Sequence, residues 1–160
     1  MQLRLVLATL LVGCALQAAD WGPAQFLIGK WKGEGGGGPG QGSGAFSFEP
    51  DVQGKVLVRR NFAEYPAQGG RPASRHDDLT VIYREGSQLK AIYFDNEEHT
   101  IRYNVDAGAG GVMFLSEGPG PRYRLTYTST GKDTLKLKFE IAPPGKDFTT
   151  YIDASARREP

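Results

Sequence analysis

The sequence predicts an all-β fold: a single antiparallel up-and-down β-barrel of about ten strands, preceded by a signal peptide. Three observations predict it. Short segments alternate apolar and polar residues with period two along most of the chain. Turn-forming residues punctuate them at close intervals, and Gly alone supplies 22 of the 160 residues. After the leader, no apolar pattern is long enough for a helical crossover, so sequence neighbours should pair as hairpins. A meander of this size hides its edges best by closing on itself; a two-sheet sandwich is the alternative.

Composition sets broad bounds. The chain is 39% hydrophobic and 23% charged, which suits one globular domain. Its 19 basic and 18 acidic residues leave a net charge of +1, so bulk charge offers no drive toward nucleic acid or an anionic membrane. Met1 to Arg4 is a short basic start, Leu5 to Val12 is apolar, and small residues follow to Ala19. That is a signal-peptide pattern, too short for a membrane span. Residues 1–19 therefore read as a leader and 20–160 as the barrel domain. Two cleavage readings stand. Leu11-Val12-Gly13-Cys14 is a lipobox-like stretch that would make Cys14 an acylated N-terminus; otherwise cleavage falls near Ala18 or Ala19. Both imply an exported protein of a bacterial envelope: periplasmic, outer-membrane-anchored through Cys14, or secreted. Cys14 is the one cysteine, so no disulfide staples the fold.

The elements follow in order. Ala24 to Ile28 suits a short helical turn, and Gly29 and Trp31 then share a strand face, with Trp31 plugging one end. The Gly-rich run from Gly33 to Gly44 lacks the Lys-Ser/Thr pair and helix of a phosphate loop and reads as a hairpin loop. Ala45 to Glu49 alternates, Asp51 to Gly54 turns, and Lys55 to Tyr65 is a long strand. On it Val58, Arg60 and Phe62 are expected to face inward, and Val81 and Tyr83 on the strand from His76 to Arg84. Ala91 and Tyr93 face inward on the next strand, then Ile101 and Tyr103, with Asn96-Glu97-Glu98 between as a turn. Val112 to Ser116 is short. Leu125 and Tyr127 mark the inner face of the strand after it, Leu137 and Phe139 that of its successor. Phe148 to Ser155 is the last strand.

Phe26-Leu27-Ile28-Gly29-Lys30-Trp31-Lys32-Gly33-Glu34-Gly35 resembles the opening strand of calycin-like barrels. Its Leu-x-Gly-x-Trp-x-Gly-x-Gly spacing is most similar to nitrobindin-like (haem-binding-like) barrels, and lipocalins and fatty-acid-binding proteins share the Gly-x-Trp. The resemblance implies a ten-stranded barrel with an internal cavity. It also implies a haem-ligating histidine on the last strand. That strand has none here, and Tyr151 lies near the place, so the haem ligand is not carried over and no cofactor is expected; haem held by a tyrosinate is the disfavoured alternative.

The chemistry expected is binding. Arg60, Tyr83, Tyr93, Tyr103, Arg124 and Tyr127 are the candidate cavity residues: tyrosines offer apolar surface with one hydroxyl, and an inward arginine needs a carboxylate. Glu64 could answer Arg60 from the same face; two inward arginines would instead favour an anionic ligand. The partner expected is a small hydrophobic or amphipathic molecule. In His76-Asp77-Asp78 only His76 and Asp78 share a face, too few for a metal site. Asp95 to His99 could hold an acid/base pair but reads as a solvated turn. No nucleophile elbow or His-Glu-x-x-His motif occurs, so no catalytic residue is assigned. An enzyme using the same cavity through His76 or His99, and a barrel filled by its own side chains, are the alternatives.

Overall fold

A computed structural model describes residues 20–34 and 42–160. The leader and Cys14 lie outside the described residues. A 3-10 helix, Gly22–Leu27, is followed by ten strands. They are β1 (Gly29–Glu34), β2 (Ser43–Asp51), β3 (Val56–Tyr65), β4 (Ser74–Glu85), β5 (Gln88–Asp95), β6 (Thr100–Gly108), β7 (Gly111–Ser116), β8 (Arg122–Gly131), β9 (Thr134–Ala142) and β10 (Thr149–Arg158). Every strand pairs antiparallel with its sequence neighbours, and β1 meets β10 from Trp31↔Arg158 to Glu34↔Ser155. The sheet is a closed up-and-down barrel, not a sandwich.

One end is plugged. The 3-10 helix buries Ala24 and Leu27, with Trp21 buried just before it, and its last carbonyls would be orphans without partners. Trp31 Nε1 donates to the Leu27 carbonyl at 2.8 Å. Arg158 donates to the carbonyls of Phe26 at 3.0 Å and Ile28 at 2.5 Å, and its guanidinium lies 4.2 Å from the Trp31 ring centroid. Gly29 makes room for this: at φ +131° it holds a conformation that L side chains rarely adopt, and a Cβ there would run into Arg158. Above the plug sits an aromatic layer. Trp31 stacks on Phe46 at 6.3 Å, Phe48 meets Tyr127 edge-on at 5.4 Å, and Phe114 meets Tyr127 at 6.1 Å. Each such pair adds about 0.5–1.5 kcal/mol beyond area burial.

Two strands face the opposite way from the sequence expectation. On β3 the inner face is Leu57, Arg59 and Asn61; on β4 it is Asp78, Thr80 and Ile82. Val58, Arg60, Phe62, Val81 and Tyr83 point out. A one-residue shift inverts a strand's faces, and alternation cannot fix the choice where both faces mix apolar and charged residues. The outward apolar residues find one another instead: Val58 opposes Val81, which opposes Ile92. Inward Ala91, Tyr93, Ile101, Tyr103, Leu125, Tyr127 and Leu137 all belong to the core or pack against it.

Candidate functional site

The inward residues form two tiers. Toward the plug, Phe48, Leu57, Val112, Phe114, Tyr127 and Leu135 are all at most 2% exposed. Toward the other end, inward Ile101, Tyr123, Leu125, Leu137, Phe139 and Ile152 are only partly buried. Side chains that point into a closed ring of strands yet keep solvent contact mark the end away from Trp31 as the open end of the barrel, its bowl.

The bowl has two unlike walls. On β8, β9 and β10 it is apolar: Tyr123 stacks on Phe139 at 6.1 Å, and Phe139 meets Tyr151 edge-on at the same distance. Tyr151 is the bulge residue between Thr150 and Ile152. On β3, β4 and β5 it is polar. Arg59 and Asp78 form an ion pair with side chains 7% and 5% exposed, and Asn61 Nδ2 donates to Asp78 at 2.7 Å. The Arg59 guanidinium lies 5.5 Å from the Phe46 ring centroid, which places it inside the barrel. Asp78 is buried, which alone would raise its pKa; the Arg59 charge, the nearby His76 and the bond from Asn61 outweigh that and lower it.

Toward the rim the network continues. Tyr93 donates its hydroxyl proton to Asp95 Oδ2 at 3.1 Å. Its oxygen is then free to accept from His76 Nε2 at 3.0 Å, while His76 Nδ1 faces Glu97 Oε1 at 3.2 Å. Both ring nitrogens therefore need a proton, and the geometry calls for the imidazolium. Its pKa is accordingly raised to about 9, first by Asp78, whose Oδ2 lies 3.6 Å from Nε2, and then, against the cost of burial, by Glu97. Asp95 accepts from the backbone N–H groups of Glu97 and His99, each at 2.9 Å, and from His99 Nδ1 at 2.8 Å. Its side chain is 3% exposed and belongs to the wall, while Asn96 to His99 beside it are exposed, as expected of a solvated turn. Burial, followed by Asp78 and Asp95, holds the Tyr93 phenol well above its ordinary pKa and therefore neutral.

Two polar atoms in the lower tier lack hydrogen-bond partners among the described residues: Arg59 Nε and the Tyr127 hydroxyl. Burial pushes the Tyr127 phenol up to about 12, against the pull of Arg59.

Of the candidate cavity residues, Tyr93, Tyr103 and Tyr127 come together on the inner surface. Arg60, Tyr83 and Arg124 do not. Arg60 is exposed and borders two open outer depressions of about 440 and 300 Å³. Glu64, its suggested partner, binds Arg75 at 2.8 Å instead. Arg124 lies on the outer face of β8, bonded to Glu140 at 2.7 Å and 4.1 Å from the Phe148 ring centroid; that bond is the main reason the Glu140 pKa falls to about 2. Gly29 and Trp31 sit at the plugged end. Arg59 and Asn61 on this wall are not among the candidates, and Asp78 and Asp95 are weighed only for a metal site and an acid/base pair. The signal available was the polar run Arg59-Arg60-Asn61 inside a strand, which a partner strand had to answer.

No group of three or more potential metal ligands occurs among the described residues. No protein-family model matches the chain, and no curated protein matches it. The architecture agrees with calycin-like barrels at the level of a closed ten-stranded antiparallel barrel.

Proposed function

We propose that this is an exported carrier or sensor that holds a small amphipathic molecule in the open half of its barrel. The observation that carries the reading is the split lining: stacked aromatics on β8–β10 face a hydrogen-bonded polar wall on β3–β5. Ligand sites pair apolar surface with a few fixed polar groups in this way. Export rests on the leader pattern of residues 1–19, with Cys14 as the lipid anchor if the lipobox is used. Haem stays outside the reading: on the last strand, where the resemblance puts an iron ligand, the ring donor present is Tyr151, a half-exposed bulge residue packed edge-on to Phe139.

The tyrosines make the test direct. Protein labelled with 3-fluorotyrosine is titrated with an amphipathic probe, 1-anilinonaphthalene-8-sulfonate, and followed by fluorine NMR. The ¹⁹F signals of inward Tyr103 and Tyr123 should shift, with outward Tyr83 as the internal control. Shifts confined to Tyr83, or none with any amphipathic probe, would exclude the bowl as the site.

A second reading has one observation of its own. His76, Tyr93, Asp95 and His99 form a continuous hydrogen-bonded chain at the rim. A protonated His76 beside the bowl suits general acid catalysis on a bound molecule. Recovery of an added ligand in chemically altered form, lost in His76→Gln, distinguishes this enzyme from a carrier.

A further inference from the structure

We propose that the molecule held in the bowl is uncharged and presents a carbonyl-type oxygen, from a ketone, aldehyde, ester or amide, to Arg59 and Tyr127. The inference rests on the ligand-binding reading above and names the chemistry of the ligand's polar end.

The unsatisfied atoms carry it. Arg59 is 6% exposed and Tyr127 0%, and neither Arg59 Nε nor the Tyr127 hydroxyl has a partner among the described residues. Unpaired polar groups at this depth are rare and costly. Arg59 Nε can only donate, and a phenol donates readily, so the natural partner is an acceptor. The two residues are neighbours: Phe46 touches both, with Arg59 5.5 Å and the Tyr127 ring 5.8 Å from its centroid. An acceptor oxygen of the ligand would serve either donor. Tyr127 lies opposite Leu137, which belongs to the partly exposed tier, so this corner adjoins the bowl.

Charge decides between a neutral and an anionic oxygen. The inner wall and rim carry Arg59 and His76 as cations. Against them stand the carboxylates of Asp78, Asp95 and Glu97. The inward residues of β7, β8 and β9 are uncharged, and Arg158 on β10 is held by the carbonyls of the plug and paired with Asp133 at 3.4 Å. Arg59 is already neutralised by Asp78. An incoming carboxylate would join an existing excess of negative charge in a poorly solvated place. Arg60 and Arg124, which could have tipped the balance, point outward. A cationic end fares no better, because both oxygens of Asp78 and of Asp95 are engaged. An uncharged acceptor meets the free donors without adding charge.

Matched probes test this. 2-Acetylnaphthalene and 2-naphthoate share shape and aromatic surface and differ in charge; 2-undecanone and decanoate repeat the comparison with a flexible chain. Binding is measured at neutral pH by calorimetry, with binding in the bowl confirmed by the fluorotyrosine shifts. The expected result is that each ketone binds at least about tenfold tighter than its carboxylate, the neutral donors being kept and the charge cost avoided. Tyr127→Phe, which keeps the ring and its packing, should weaken ketone binding about fivefold while leaving the thermal midpoint nearly unchanged. Carboxylates binding in the bowl as tightly as the ketones would overturn the neutral-ligand inference and leave the carrier reading standing. So would ketone binding indifferent to Tyr127→Phe, since the hydroxyl would then be served by water. Failure of all four probes to reach the bowl would overturn both.

Discussion

Arg59→Met is the perturbation that bears hardest on the inner wall. Arg59 and Asp78 are a buried ion pair with side chains 7% and 5% exposed. Removing the guanidinium leaves the Asp78 carboxylate with Asn61 Nδ2 at 2.7 Å and His76 Nε2 at 3.6 Å. Breaking a buried pair from one side costs about 3–5 kcal/mol, because a charge is left behind. A domain holds only about 5–15 kcal/mol in all, so the variant should stand close to unfolding. Replacing both partners with apolar residues, Arg59→Met with Asp78→Leu, removes the stranded charge and should recover most of the loss, giving a coupling of at least about 2 kcal/mol. Urea unfolding of the wild type, both single variants and the double variant closes the cycle. The pH dependence supplies a sign. In the native protein Asp78 has a lowered pKa, so its stabilisation is complete above the unfolded carboxylate value and is lost as pH falls through the folded one. In Arg59→Met burial dominates and favours the proton, so the deficit against wild type should narrow in acid. A single variant costing under about 1 kcal/mol, with additive effects and an unchanged acid slope, would refute a buried pair at this position.

Other outcomes follow from the same geometry. His76 should titrate near pH 9 by imidazole ¹⁵N NMR; since that is above the ordinary 6.5, the stability it contributes is fully present below 6.5 and is lost as pH rises through about 9. Glu97→Gln should lower that pKa but leave it above 6.5, because nearby Asp78 is the larger cause. Trp31→Ala opens the plug and should cost about 3–5 kcal/mol by chemical denaturation. Gly29→Ala forces a Cβ against Arg158 at φ +131° and should cost more than about 1 kcal/mol, read as a lowered thermal midpoint.

Much of the fold is legible in the sequence, because its determinants are local. Turn residues set the strand ends, period-two alternation sets the strands, and the lack of a crossover helix leaves hairpins that close. Trp31 and Gly29 announce the plug within a few residues. The rest depends on distant partners. Arg59 and Arg60 are adjacent arginines on a strand apolar on both faces, and what buries Arg59 is Asp78 across β4. Arg158 completes the plug from 130 residues beyond Ile28. The turn after β5 reads as polar and therefore solvated, yet Asp95 is withdrawn from water by four donors that only the folded hairpin assembles. The tyrosines on β6 and β8 could be placed because their strands are apolar on one face alone.

The central claim is that the half of the barrel away from Trp31 is a receptacle for a small molecule. Native mass spectrometry of the protein purified from its own cell envelope addresses it most directly. The account predicts a population heavier than the mature chain by one small molecule, released on denaturation, uncharged and carrying a carbonyl-type oxygen. Repeated preparations showing the bare chain alone, from a protein whose inner tyrosines also ignore every amphipathic probe, would contradict it.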